Sequence, residues 1–179
     1  MLSRSYLFNI TIFVLLASLW GLSFIFLRLA SMHFDVISLA NGRIFFACIV
    51  LLPFFFFSRM PSQLFFLFGL GFLNSALPFA LTSFSAMHLP ASYLATINSL
   101  VPLITVCARR AIFGTIPARK TSFAVLIGTL GVVLVVGLGP LRFSEEIFIS
   151  CLASIFAAIC YSLSGIFAIH FFKNESLIA

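Results

Sequence analysis

Six long apolar stretches follow one another along this chain, separated only by short polar breaks. They fall near residues 6–29, 36–57, 64–87, 91–113, 122–138 and 147–171. A bilayer core about 30 Å thick takes roughly 20 helical residues to cross, so each stretch has about the length of a spanning helix. The breaks hold residues that end helices or favour water: Ser31-Met32-His33, Arg59-Met60-Pro61, His88-Leu89-Pro90, Thr115-Ile116-Pro117 and Gly139-Pro140. Alternating polarity over ten-residue segments, the mark of a transmembrane barrel, is absent. The expected fold is all-α, a polytopic transmembrane bundle of about six helices.

Composition decides which solvent surrounds those helices. The chain is 63% hydrophobic and 8% charged, against roughly 25% charged residues in a soluble domain. So few charges cannot cover a water-exposed surface, and the lipid bilayer is the expected main partner. The net charge of +6 is scattered between apolar runs and forms no basic face, so nucleic acid is not an expected partner. Cys48, Cys107, Cys151 and Cys160 sit in or at the ends of apolar runs with no Cys-x-x-Cys pair, and His33, His88 and His170 stand apart. Neither set reads as a metal site or a disulfide framework, and no cofactor is expected. The first stretch is longer than the roughly 7–15 residues of a signal-peptide core, so it is read as a retained helix.

The basic residues orient the bundle. With the N-terminus in the cytoplasm, Arg4, Arg59, Arg109, Arg110, Arg119, Lys120 and Lys173 lie inside, Arg28 and Arg142 lie outside, and Arg43 lies within the second span. Asp35, Glu145 and Glu146 then fall outside. The asymmetry predicts that both termini are cytoplasmic.

Polar groups inside the spans are the candidates for function. Arg43 lies about two turns, roughly 10 Å, from the outer end of its helix. Ala40 and Ala47 share its face and allow close packing. Arg43 reads either as an anchor for an anionic group or as a structural arginine bonding carbonyls at a neighbouring helix end. On the third span Gly71, Ser75, Pro78 and Thr82 fall along one side with Asn74 beside them. On the fourth, Ser92, Thr96 and Ser99 form one stripe, and Asn98 with Pro102 another. Such stripes either line a wet pocket or bond helix to helix. The prolines loosen the helices and free carbonyls. Trp20 lies too deep for an interfacial anchor, and it reads either as a cavity wall or as a filler beside Gly21. No Asp or Glu lies inside a span. Proton-for-cation exchange through a membrane carboxylate is therefore unsupported, and anionic or zwitterionic solutes suit Arg43 better.

Several motifs resemble the EamA branch of the drug/metabolite transporter superfamily. Ala17-Ser18-Leu19-Trp20-Gly21-Leu22-Ser23-Phe24 is similar to that family's Trp-Gly start, and Arg43-Ile44-Phe45-Phe46-Ala47 to its second-helix pattern. Ala86-Met87-His88-Leu89-Pro90-Ala91-Ser92 followed by Leu100-Val101-Pro102-Leu103 resembles its third-to-fourth hinge and fourth-helix proline. Gly131-Val132-Val133-Leu134 resembles the close of its fifth helix. Trp20-Gly21-Leu22-Ser23 also aligns with Tyr161-Ser162-Leu163-Ser164, as if a second repeat began at the sixth span.

The resemblance implies five-helix repeats of inverted topology around a midplane cavity, and transport of small metabolites across a bacterial inner membrane. On that pattern residues 1–140 form one five-helix repeat, and residues 141–179 form the start of a second with one helix. The expected path-lining residues are Trp20, Ser23, Arg43, Asn74, Asn98 and Pro102. Two departures stand out: Thr115 sits where the family usually has Glu, and Arg109-Arg110 where it is usually apolar. The expected role is a secondary transporter of amino-acid-like, anionic or zwitterionic solutes, with a second chain supplying the missing helices. The alternatives are an inactive truncated remnant or a small membrane interaction protein. An enzyme is not expected, because no pair of ionisable side chains shares one membrane depth.

Overall fold

A computed structural model describes residues 4–56, 64–115, 118–137 and 144–171. Regular structure among them is entirely helical: α1 Arg4–Ala30, α2 Val36–Phe55, α3 Leu64–Gly71, α4 Leu77–His88, α5 Ala91–Asn98, α6 Val101–Phe113, α7 Arg119–Gly137 and α8 Glu145–Phe171. Five described stretches are long and apolar enough to cross a membrane: Tyr6–Ala30, Val36–Phe55, Leu64–His88, Ala91–Phe113 and Glu145–Phe171. The fifth expected span is helical as α7. Described helix ends agree with expectation to within three residues. Phe57, Leu138, Arg59, Arg142, Lys173 and the breaks at 59–61, 116–117 and 139–140 lie outside the described residues.

Proline shapes two of the spans. The third runs from α3 into α4 through a π-helical turn, Phe72–Ala76. Pro78 has no N–H to give to the carbonyl of Asn74, and its ring crowds that carbonyl. One wide turn just before the proline relieves the clash. The fourth span is interrupted at Ser99-Leu100, so the single helix expected over 91–113 is two, α5 and α6. Pro102 is the cause: the Asn98 carbonyl loses its i+4 donor, and the chain tightens with Leu100 N–H bonding to Ile97 O at 3.0 Å. Between α4 and α5, Leu89 is extended at φ −100°, ψ 139°, as the residue before a proline prefers to be.

The outer surface is apolar. Phe13 on α1, Phe46 on α2 and Phe65 and Phe68 on α3 are all largely exposed. Such a surface fits hydrocarbon rather than water, so the chain is a multi-pass membrane protein lying in a lipid bilayer. Within the bundle, α8 is the most buried span, with 39% of its most apolar window covered against 6% for α1. It packs chiefly on α4, and also on α6 and α5. Ser150, Ser154, Ala158 and Ser162 recur every four residues on α8 and are each 3% exposed or less. Small residues at that spacing let two helix backbones approach closely in a membrane. A core of Leu27, Leu39, Ala86, Leu89, Tyr93, Leu94 and Ile97 joins the end of α1, the start of α2, the α4–α5 hinge and α5. Residues 6–23 of α1 are exposed throughout.

Asp35 caps α2. Its Oδ2 accepts from the backbone N–H groups of Ile37 at 3.1 Å and Ser38 at 3.2 Å, two of the donors a helix start leaves unpaired. Bonds from Ser38, side chain first and then backbone, and from Ile37 hold the Asp35 carboxyl below its ordinary value. The cap therefore stabilises fully above the unfolded carboxylate range and is lost as pH falls through the lowered folded value.

Two outcomes follow for thermal unfolding in detergent. Asp35→Ala lowers the midpoint at neutral pH and flattens its acid dependence, while Asp35→Asn, an equally good cap, keeps the neutral-pH midpoint. Ala158→Leu overpacks the buried face of α8 and costs about 1–3 kcal/mol, whereas Leu152→Ala on the exposed side of α8 leaves the midpoint nearly unchanged.

Candidate solute site

The second and third spans bring two polar side chains and one aromatic ring together inside the bundle. Arg43, on α2, points its guanidinium at α4. Its Nη1 donates to Thr82 Oγ1 at 3.1 Å, and its carbon Cζ lies 3.9 Å from the centre of the Phe79 ring. Thr82 is buried, and its own hydroxyl donates to the Pro78 carbonyl at 2.8 Å. Its oxygen thus remains free to accept from Arg43. On α8, Ser164 Oγ donates to the Tyr161 carbonyl at 2.8 Å. No ion pair joins Arg43 to a carboxylate among the described residues. A guanidinium carries five N–H donors, and the contacts with Thr82 and Phe79 leave it able to take a planar anionic group in a two-pronged bond.

About two helical turns from Thr82, roughly 12 Å along the span, the π-helical turn carries Asn74. Its Oδ1 accepts from Ser164 Oγ of α8 at 2.9 Å. The widened turn and the proline behind it thus place an amide on the helix that also presents Thr82. Asn98 ends α5 at the second proline break and is half-buried, and Pro102 at the start of α6 is exposed. Beside that break Ser162 Oγ of α8 donates to the Val101 carbonyl at 3.0 Å. Trp20, 64% exposed, and Ser23 lie on the uncovered stretch of α1 rather than among these groups. The structure therefore gathers Arg43 with Thr82 and Phe79, and separately pairs Asn74 with Ser164 of α8. It sets Asn98 and Pro102 at a second break, and Trp20 and Ser23 on the outer face.

Tyr161 and Ser164 were not among the expected site residues. The sequence did offer a signal, since both stand in the segment that aligns with Trp20–Ser23. Carbonyl capping, one of the two readings of Arg43, is done instead by Arg28. Its Nη1 donates to the carbonyls of Ala86 and Met87, the latter at 2.7 Å. Ser31 Oγ also reaches Ala86 O at 2.8 Å. These carbonyls close the last turn of α4, where no further helical N–H is available. Ser85 Oγ bonds Ser150 O at 2.8 Å, and Ser150 Oγ meets His88 Nδ1 at 3.1 Å, so α4 and α8 are tied at the same end. Ser83, also on α4, is fully buried, and its hydroxyl has no partner among the described residues. No group of three His, Cys, Asp or Glu side chains that could hold a metal occurs among the described residues.

The model of the EamA-like transporter family matches residues 7–137. The chain belongs to the EamA-like transporter family. No curated protein and no solved structure matches it. Membership makes this a membrane protein of a transporter family, and the matched region contains the two proline breaks, Arg43, Asn74 and Thr82. α8 lies beyond the match, yet it supplies Tyr161, Ser162 and Ser164 to this EamA-like bundle. Of the departures from the family pattern, Thr115 is exposed with its Oγ1 donating to Arg109 O at 3.2 Å, and Arg109 and Arg110 are exposed at the end of α6.

If Arg28 rather than Arg43 closes a helix end, the two arginines differ in stability. Arg28→Leu leaves the Met87 carbonyl without its charged donor and lowers unfolding stability by about 2 kcal/mol. Arg43→Gln, which keeps a donor for Thr82, lowers it by less than half as much. Thermal unfolding of both purified variants in one detergent checks the order.

Proposed function

We propose that this chain carries a small anionic or zwitterionic metabolite, of the amino-acid kind, across a bacterial inner membrane, with both termini in the cytoplasm. The single observation that supports the reading most is the half-buried guanidinium of Arg43, bonded to a neutral hydroxyl and an aromatic face with no carboxylate partner among the described residues. A charge held inside a bundle stays charged at a cost unless something pairs with it, and such residues mark solute paths. In this reading Arg43 anchors the solute's anionic group. Asn74 and Ser164 offer neutral hydrogen bonds near the midplane, Tyr161 bounds the opposite wall, and the breaks at Pro78 and Pro102 supply freed carbonyls for a cationic end. Asn98 and Pro102 line the path at the second break. Trp20 and Ser23 face it only when the exposed stretch 6–23 of α1 is covered, and we assign that stretch as the face a second polypeptide, supplying further helices, would lie on. The domain division follows the same scheme, with 1–140 as a five-helix repeat and 141–179 as the beginning of another. The role is that of a carrier rather than an enzyme.

The test is flux. Lipid vesicles reconstituted with the full chain and offered a panel of labelled amino acids take up at least one acidic or zwitterionic member faster than protein-free vesicles. Arg43→Gln lowers that uptake about tenfold. Arg43→Lys, which keeps the charge but loses the two-pronged geometry, falls between. Uptake equal to protein-free vesicles across the panel, or an Arg43→Gln variant as fast as the parent chain, contradicts the reading.

A further inference from the structure

Far along the bundle from Arg43, another cationic side chain, Arg109, lines a cavity. Where α6 and α8 end, a half-open space of about 230 Å3 lies between them, lined by Arg109, Phe113, Ile166, Ile169 and His170. Its wall is graded. Ile166 is buried and lies one turn deeper than the exposed His170, about 6 Å along the helix. The imidazole is held from two sides. Phe113 lies 5.7 Å from it at a tilt of 35°, and Phe171 meets it edge-on at 5.2 Å. The end of α6 is fixed as well: Gly114 at φ 65° donates its N–H to Arg110 O at 2.9 Å, the left-handed turn that glycine adopts without strain.

We propose that this groove is a binding site for an anionic phospholipid, with Arg109 and His170 on the headgroup phosphate and the first acyl carbons along Ile166 and Ile169. A guanidinium and a ring N–H, both donors, match phosphate oxygens. The apolar wall beneath them suits a ligand with a greasy tail and is wasted on a free anion. Basic pockets between helices at the headgroup level are where anionic lipids bind.

Charge at this end of the bundle agrees. The C-termini of α6 and α8 each present roughly half a negative charge, which opposes an anion. The start of α7 returns about half a positive charge, and Arg109, Arg110, Arg119 and Lys120 are all exposed at the same end. The described acidic residues, Asp35, Glu145 and Glu146, stand at the opposite end. The balance around the groove is therefore positive.

The test uses the full chain purified in a neutral detergent, with bound lipid counted by native mass spectrometry during titration with phosphatidylglycerol, phosphatidylcholine or inorganic phosphate. The parent chain retains phosphatidylglycerol over phosphatidylcholine. Arg109→Gln weakens phosphatidylglycerol binding about fivefold, Arg109→Lys weakens it less, and Arg119→Gln, at the start of α7, leaves it within about twofold. Circular dichroism confirms that each variant is folded. Equal retention of the two lipids overturns the proposal, as does an Arg109→Gln variant that binds like the parent. An Arg119→Gln loss as large as that of Arg109→Gln overturns it in favour of diffuse surface charge. Displacement of the lipid by millimolar inorganic phosphate overturns it in favour of a soluble anion.

Discussion

In hydrocarbon there is no water to bond a carbonyl that its own helix leaves free, so each such carbonyl must find a donor elsewhere in the protein. Much of this structure follows from that constraint. The end of α4 releases carbonyls, and side chains from elsewhere in the bundle take them; other side chains add bonds to carbonyls within a neighbouring helix. Arg28 of α1 and Ser31 just after it bond the last carbonyls of α4. Ser162 of α8 bonds Val101 beside the break in the fourth span, and Ser85 of α4 bonds a carbonyl of α8. These bonds join α1, α4, α6 and α8, the first at the end of α4 and the other two on carbonyls within α6 and α8. Each is worth on the order of 1 kcal/mol, but leaving the group unpaired costs more, so the bonds fix which helix end meets which.

Close packing follows from the same choice of residues. A membrane gives no hydrophobic drive between helices, so contact has to come from shape. The serines and alanines of α8 provide shape and donors together, which is why α8 sits against α4, α5 and α6 while α1 lies mostly outside. Arg43 is the exception to the pattern. It bonds a hydroxyl and stacks on a ring rather than completing a helix end. That distinction separates an arginine that holds the fold from one available to a solute.

The spans were legible because apolar length is a strong signal, and five of them recur as membrane-length helices within a few residues. The split of the fourth span was only half legible: Pro102 announced a lost hydrogen bond, but a proline near a helix start can also be tolerated. The wide turn at Phe72–Ala76 was not foreseen, since Pro78 can be accommodated by a kink as well as by a π-helical turn. Arg28 was placed by its charge on the outer side, and nothing local to it shows that the end of α4 lies within reach. The four-residue recurrence of Ser150, Ser154, Ala158 and Ser162 was visible as spacing, yet which helix it packs on depends on the tertiary arrangement. Polar residues inside apolar spans led to Arg43, Asn74 and Asn98. They could not say that Asn74 meets Ser164 across the bundle, because that contact spans 90 residues.

Amide hydrogen exchange in lipid nanodiscs tests the organising constraint most directly. If freed carbonyls are bonded between helices and α8 is the centre of the bundle, amides of Leu77–His88 and of residues 150–166 exchange slowest in the chain, over hours or longer. Exchange of those two segments within minutes, in a lipid bilayer and at neutral pH, would contradict the account.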